Sequence, residues 1–225
     1  VEVATFRADG TYSDGRRPDT VIFGGELEDA RRRDFTINGL FFDPLAERLI
    51  DHVGGQADLD ARVLRTIGDA TTRFDEDHLR ILRAVRFAAR LELKIDPDLE
   101  RAARALAPQL RSISAERVWM ELERILTPPT RTRGWTLLAE WSLVEHLVAG
   151  WAPSDEQRHR IQATFSALSP ETVSAHLIPA VLFVNESGAV VEERCRALRL
   201  SNGLTAAARW LVQSANLLRD ADDIS

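Results

Sequence analysis

Apolar and polar residues alternate over residues 1–7 (VEVATFR), with β-branched side chains among them, which predicts a half-buried strand. Residues 8–20 (ADGTYSDGRRPDT) have no period and are rich in Gly, Asp and Arg, so they read as a loop. Residues 21–23 follow as a short strand and 26–33 as a charged helix. Residues 40–43, 49–51 and 63–66 read as further short strands, with turns at Pro44 and at Gly54-Gly55. After Asp69 the period lengthens. Leu79, Leu82, Val85, Phe87 and Ala89 recur at helical spacing within residues 76–93. Asp96 and Pro97 suit the N-cap and first position of a second helix. Ser114 precedes a third over 115–126, Pro128-Pro129 interrupts, and 133–147 is a fourth that carries Trp135, Leu138 and Trp141. Residues 154–168, 170–184, 189–199 and 204–220 are further helices, and no strong strand signal follows Thr66. The class is therefore α+β: a small mixed portion followed by an all-helical one.

The 225 residues allow one domain or two modest ones, and 44% hydrophobic with 28% charged residues predicts a folded chain rather than a disordered one. A net charge of −6 argues against a surface coated in nucleic acid but permits a local basic groove. The lone Cys195 excludes an internal disulfide and fits a reducing, cytoplasmic setting. No signal peptide is recognised, and no apolar stretch approaches bilayer-spanning length; the longest, over 177–184, contains Pro179. The chain opens without Met inside a strand pattern, and stops just after a helical one, so it reads as part of a longer protein.

Two charged patterns carry candidate chemistry. In Arg31-Arg32-Arg33-Asp34, four consecutive charges precede Phe35-Thr36-Ile37-Asn38. The run is either a solvated helix end or an anion site. In the second case Arg33 forks onto a phosphate or ribose oxygen, and Asp34 pairs with it or accepts from a ribose hydroxyl. The second pattern is Glu76-Asp77-His78-Leu79-Arg80, continued by Arg83 and Arg86. On one helix Asp77 and Arg80 are neighbours, which by itself describes a common surface ion pair. The extra arginines leave surplus positive charge that suits a triphosphate. A carboxylate only accepts hydrogen bonds and a guanidinium only donates them. Cytosine and adenine each present an amino donor beside a ring-nitrogen acceptor, whereas uracil and guanine present a carbonyl beside an N–H. An Asp–Arg pair therefore admits C and A and rejects U and G without a template. Glu2, on the first strand, is a weak candidate ligand for Mg²⁺.

Taken together these segments resemble the class II tRNA nucleotidyltransferases and bacterial poly(A) polymerases of the polymerase-β superfamily. VEVATFR and ADGTYSDGRRPDT look like the strand and flexible loop of that family, and RRDFTINGL like its ribose-binding motif. LIDHVGGQADLDARVLRTIGD looks like the connection to the neck, EDHLRILRAVRFAARL like the nucleotide-templating helix, and SISAERVWMELERIL like RNA-contacting neck helices. The likeness covers residues 1–150. It implies a partial nucleotidyltransferase head over 1–69, a helical neck over 70–150 and a helical body over 151–225. It further implies that Arg33 contacts the nucleotide, Asp77 and Arg80 read its base, Arg83 and Arg86 hold it, Glu76 orients the reading pair, and Asn38 supports the Arg33–Asp34 turn. Glu2 would be a catalytic metal ligand, Mg²⁺ the cofactor, and residues 9–19 a loop that switches to A addition. The partners would be CTP, ATP and the 3′ end of tRNA, with no membrane.

Two departures stand out. The family's glycine-rich motif and paired metal-binding aspartates precede the position of Glu2 and are absent, so these residues alone should not incorporate nucleotides. Gly39 stands where the family usually has Ala. Competing readings are a poly(A) polymerase or A-adding enzyme, and a helical RNA-binding module without catalysis. A phosphohydrolase of the His-Asp type is disfavoured, because Asp51-His52 and Asp77-His78 run in the wrong order. RNA along the helical part would meet Arg111, Arg117, Arg131 and Arg133. Trp135, Trp141, Trp151 and Trp210 are expected in the core more than on stacked bases.

Overall fold

The structure, a computed structural model, describes residues 5–9, 21–172, 174–184 and 186–222. Glu2, most of the predicted first strand and residues 10–19 of the predicted loop lie outside them. The chain forms two compact units, one ending at Leu106 and the other beginning at Ala107.

The described residues of the first unit form three two-stranded sheets. Strand β1 (Arg7–Asp9) pairs antiparallel with β2 (Val21–Phe23), Arg7 opposite Phe23. Thr5 and Phe6, inside the predicted first strand, fall outside β1; Phe6 sets its ring edge-on to Phe41 at 5.3 Å. Helix α1 (Glu26–Arg31) follows. Strands β3 (Leu40–Asp43) and β4 (Arg48–Asp51) form a hairpin around Pro44, as expected. Gly54-Gly55 does more than turn the chain, because Gly55 opens a helix that the pattern misses, α2 (Gly55–Asp60). The Asp51 carboxylate collects the N–H groups of Val53, Gly54, Gly55 and Gln56 at 2.9–3.0 Å. Burial raises the Asp51 pKa, and these N–H groups more than reverse that, leaving it below the usual carboxylate range. Only glycine fits at 55, where a Cβ would lie 2.2 Å from the Thr36 carbonyl oxygen. At Gly39 a Cβ would stand 2.5 Å from the Val53 side chain, which fills that space here.

Strand β5 (Val63–Leu64) pairs parallel with β6 (Lys94–Ile95), a strand absent from the sequence expectation. Two residues leave no alternation to read. Lys94 N–H donates to the Arg62 carbonyl at 2.7 Å and Asp96 N–H to that of Leu64 at 3.1 Å.

The predicted helix over 76–93 begins later, as α4 (Leu79–Arg90), and is preceded by α3 (Ala70–Glu76), a helix absent from the sequence expectation. Asp69 caps α3 by accepting from Thr72 N–H at 2.8 Å. Asp77 is extended, at φ −155° and ψ 102°, and its carboxylate accepts from Leu79 N–H at 3.1 Å. A short carboxylate that satisfies a free N–H competes with helix continuation, and here it wins. Helix α5 (Pro97–Ala105) starts as predicted, with Asp96 accepting from the N–H groups of Asp98 and Leu99. Phe35, Leu64, Phe74, Ile81, Leu82 and Val85 are buried at the centre of this unit.

The second unit is helical. Helix α6 (Ala115–Leu126) buries Val118, Leu122 and Ile125. Helix α7 (Arg131–Glu140) ends well before the predicted 147, at a turn where Ser142 takes φ +56°. Gly134 permits a close approach of these two helices, since a Cβ would lie 2.4 Å from Ile125. A capping box of Ser154 and Gln157 starts α8 (Asp155–Ala167). Helix α9 (Leu177–Leu182) is shorter than the predicted 170–184 and keeps Pro179 in its first turn, where no N–H is needed. Helices α10 (Gly188–Ala197) and α11 (Asn202–Asp222) complete the described chain. Trp135, Trp141 and Trp151 are core residues, while Trp210 is exposed.

Candidate functional site

Asp29 organises the basic run. It sits on α1 one turn before Arg32 and Arg33, with its side chain only 3% exposed. Its Oδ1 accepts from Arg32 Nε and Nη2 at 2.8 and 2.6 Å, and its Oδ2 from Arg33 Nε and Nη2 at 3.0 and 2.8 Å. Two forked guanidinium–carboxylate contacts on one carboxylate fix both directions. Arg33 also donates to the Asn38 carbonyl at 2.8 Å and lies over the Phe41 ring at 4.8 Å. The expectation that Asp34 pairs with Arg33 is therefore corrected, and Asp29 does this.

Asp34 is buried and faces another partner. Its Oδ1 accepts from Phe35 N–H at 3.0 Å and Asn38 Nδ2 at 2.7 Å. Its Oδ2 receives Arg83 Nε and Nη2, both at 2.6 Å. Asn38 ties its side chain to Asp34, four residues earlier. Arg83, expected to hold nucleotide, is tied across the fold to Asp34 while its side chain stays 33% exposed. Arg83 and Arg86 both lie near the Phe87 ring, at 5.6 and 4.5 Å.

At the joint of α3 and α4, Glu76 grips Arg80 through Nη1. Arg80 Nη1 also donates to the Arg73 carbonyl at 2.9 Å, and Nη2 to the Arg32 carbonyl at 3.3 Å. Its side chain is 13% exposed. Asp77 and Arg80 are brought close, but by a turn closed through Arg80 N–H and the Asp77 carbonyl at 2.9 Å, not by sharing one helix. The first unit thus joins Arg33, Asp34, Asn38, Glu76, Asp77, Arg80, Arg83 and Arg86 through a network in which arginines outnumber carboxylates. Asp29 and Arg73 belong to it and were missed by the sequence reading. Asp29 had a readable signal, its helical spacing to Arg32 and Arg33. Arg73 had the same kind of signal in its three-residue spacing to Glu76, whereas its contacts to the Ile67 and Arg31 carbonyls had none.

Two family models match the chain. One, a poly A polymerase head domain, covers residues 1–65, and the other, a probable RNA and SrmB-binding site of polymerase A, covers residues 92–153. The CCA-adding enzyme of Geobacillus thermodenitrificans is 44% identical over 163 residues, 72% of this chain and 40% of that protein. The chain belongs to the family of CCA-adding enzymes and poly(A) polymerases. It spans about two fifths of the length of this curated relative. The crystal structure of the Bacillus stearothermophilus CCA-adding enzyme in complex with CTP superimposes with a TM-score of 0.77 at 33% identity, covering 93% of this chain and 50% of that one. That of the Thermotoga maritima CCA-adding enzyme complexed with tRNA gives 0.71 at 25% identity, covering 87% and 50%. The expected fold, a polymerase-like head portion followed by helices, is that of this family.

The helical unit of this family member revises one expected RNA contact. Arg131 is 5% exposed and donates to the carbonyls of Phe165 (3.1 Å), Ser169 (2.8 Å), Thr172 (3.2 Å) and Leu168. Its guanidinium ties α7 to the end of α8 and is not available to a phosphate. Arg111 is exposed and reaches the Glu145 carbonyl only at 3.4 Å. Arg133 is exposed and Arg117 partly so. Among the described residues no three His, Cys, Asp or Glu side chains gather as a metal site, and Glu2 lies outside them. Among the described residues no helix is long and apolar enough to cross a membrane.

Proposed function

We propose that the protein carrying these residues is a cytoplasmic, template-independent nucleotidyltransferase that adds C and A to tRNA 3′ ends from CTP and ATP. One observation carries the reading. The base-complementary pair Asp77–Arg80 is bonded through Arg80 to the segment that holds Arg33. The relatives' names, which include a CCA-adding enzyme with CTP and another with tRNA, support it. In this reading residues 1–69 belong to the head, 70–150 to the neck and 151–225 to the body.

Each side chain then has a task. Asp77 accepts from the exocyclic amino group of C or A. Arg80, held by Glu76, donates to the neighbouring ring nitrogen. Arg33, aimed by Asp29, binds the ribose or phosphate end, and Arg83 and Arg86 add positive charge beside it. Arg111, Arg117 and Arg133 meet RNA phosphates. Uracil would set its carbonyl against the Asp77 carboxylate, acceptor against acceptor, and such mismatches are rejected strongly. The family's chemistry implies divalent ions that clamp the attacking and leaving oxygens. Glu2 is the one carboxylate here assigned to them. The described residues present no cluster that fits Mg²⁺.

The test uses the full-length natural protein with CTP, ATP, Mg²⁺ and a tRNA lacking its 3′ terminus. Sequenced product ends should read C, C, A. Runs of A would replace this reading with a poly(A) polymerase. RNA binding without incorporation would replace it with a non-catalytic RNA-binding module.

A further inference from the structure

We propose that Arg73 is a positioning residue for base choice, locking Arg80 in its reading direction and tying it to the segment that holds Arg33. The inference rests on the base-reading role proposed for Asp77 and Arg80. Arg73 lies on α3, and its side chain is 18% exposed. Nε donates to the Ile67 carbonyl at 2.6 Å, Nη1 to both Glu76 oxygens at 2.9 and 3.3 Å, and Nη2 to the Arg31 carbonyl. All three nitrogens are engaged inside the protein, and the influence on a nucleotide proposed for Arg73 passes through Glu76 and Arg80.

Two routes lead from Arg73 to Arg80. Its side chain holds Glu76, whose Oε2 also takes Arg80 Nη1, and its own carbonyl accepts from that same nitrogen at 2.9 Å. A carboxylate shared by two guanidinium groups has little freedom, although Glu76 is 30% exposed and would turn into solvent if released. Arg73 and Arg80 also take the carbonyls of Arg31 and Arg32, which lie at the C-terminal end of α1 where carbonyls lack helical partners. The reader on α4 and the holder after α1 are thereby one hydrogen-bonded body.

Removing the Arg73 guanidinium leaves the charge and reach of Arg80 intact but frees its direction. The affinity for triphosphate should then change little, while discrimination between bases falls. A conservative change does not substitute, because an ammonium is a point charge that cannot fork to three separated partners.

The experiment measures equilibrium affinities of the full-length natural protein for CTP, ATP, UTP and GTP without metal, in the parent and in Arg73→Met, Arg73→Lys and Asp77→Ala. Circular dichroism and thermal midpoints check folding. In Arg73→Met the preference for C and A over U and G should fall about tenfold, the scale of one misplaced hydrogen bond. Arg73→Lys should fall part of the way at unchanged net charge. Equal weakening for all four nucleotides, with the preference kept, is what a purely structural arginine gives and would overturn the inference. If Arg73→Met does not fold, Arg73→Lys and Glu76→Gln decide. Their double variant should lose no more preference than the stronger single one, and additive losses would count against a shared path. Relaxed preference in Asp77→Ala with none in the Arg73 variants sinks this inference alone. An unmoved preference in Asp77→Ala sinks the base-reading role, and this inference with it.

Discussion

In full-length protein, Asp77→Ala should lower discrimination against UTP by roughly one to two decades. The carboxylate is the acceptor for the amino group that C and A share, and it is also the group that repels the uracil carbonyl. An unpaired buried polar group costs about 1–3 kcal/mol, and about 1.4 kcal/mol is a decade. The Asp77 carboxylate also caps Leu79 N–H, so some loss of stability accompanies the change. That loss acts on all nucleotides alike and cancels from their ratio. The measurement is kcat/KM for CTP, ATP, UTP and GTP in parent and variant. A retained ranking would make Asp77 a helix cap and nothing more.

Arg131→Met should be among the most damaging substitutions in the helical unit, without touching RNA affinity. The guanidinium satisfies carbonyls of Phe165, Leu168, Ser169 and Thr172 from a nearly sealed position. Met restores much of the stem volume but none of the donors. Leaving several carbonyls unpaired should cost about 3–5 kcal/mol, allowing for partial hydration. In a chain of this size that is a fall in thermal midpoint of roughly 8–15 °C. RNA binding below the midpoint should be unchanged. A tenfold weaker RNA complex at an unaltered midpoint would restore Arg131 as a phosphate contact.

Much of the site could be read from the chain because its chemistry is local. Arg33, Asp34 and Asn38 lie within one turn, and Glu76, Asp77 and Arg80 within another, so spacing alone puts each group together. The pairing between the groups could not be read. That Asp34 meets Arg83 rather than Arg33 depends on a contact between residues 49 positions apart in the chain. Arg131, and Arg73 in its contacts to Ile67 and Arg31, work through backbone carbonyls, which every residue possesses and which carry no sequence mark. The helical reading across Asp77 failed for a related reason. The apolar positions begin at Leu79, and the charged run over 75–78 before them carries no period to show that the Asp77 side chain caps the helix instead of continuing it. Long helices such as α6 were legible from their apolar face and α5 from its Asp-Pro start. The two-residue strand β6 was not, being shorter than any period.

The most direct test of the central claim is the ranking of the four nucleotides by the parent chain. Equilibrium titration of the full-length natural protein with CTP, ATP, UTP and GTP, in the absence of metal and RNA, isolates the protein's own reading of the base. The Asp77–Arg80 account predicts CTP and ATP at similar affinity, with UTP and GTP weaker by about tenfold or more. Equal affinity for all four, or a split of purines from pyrimidines, would contradict it.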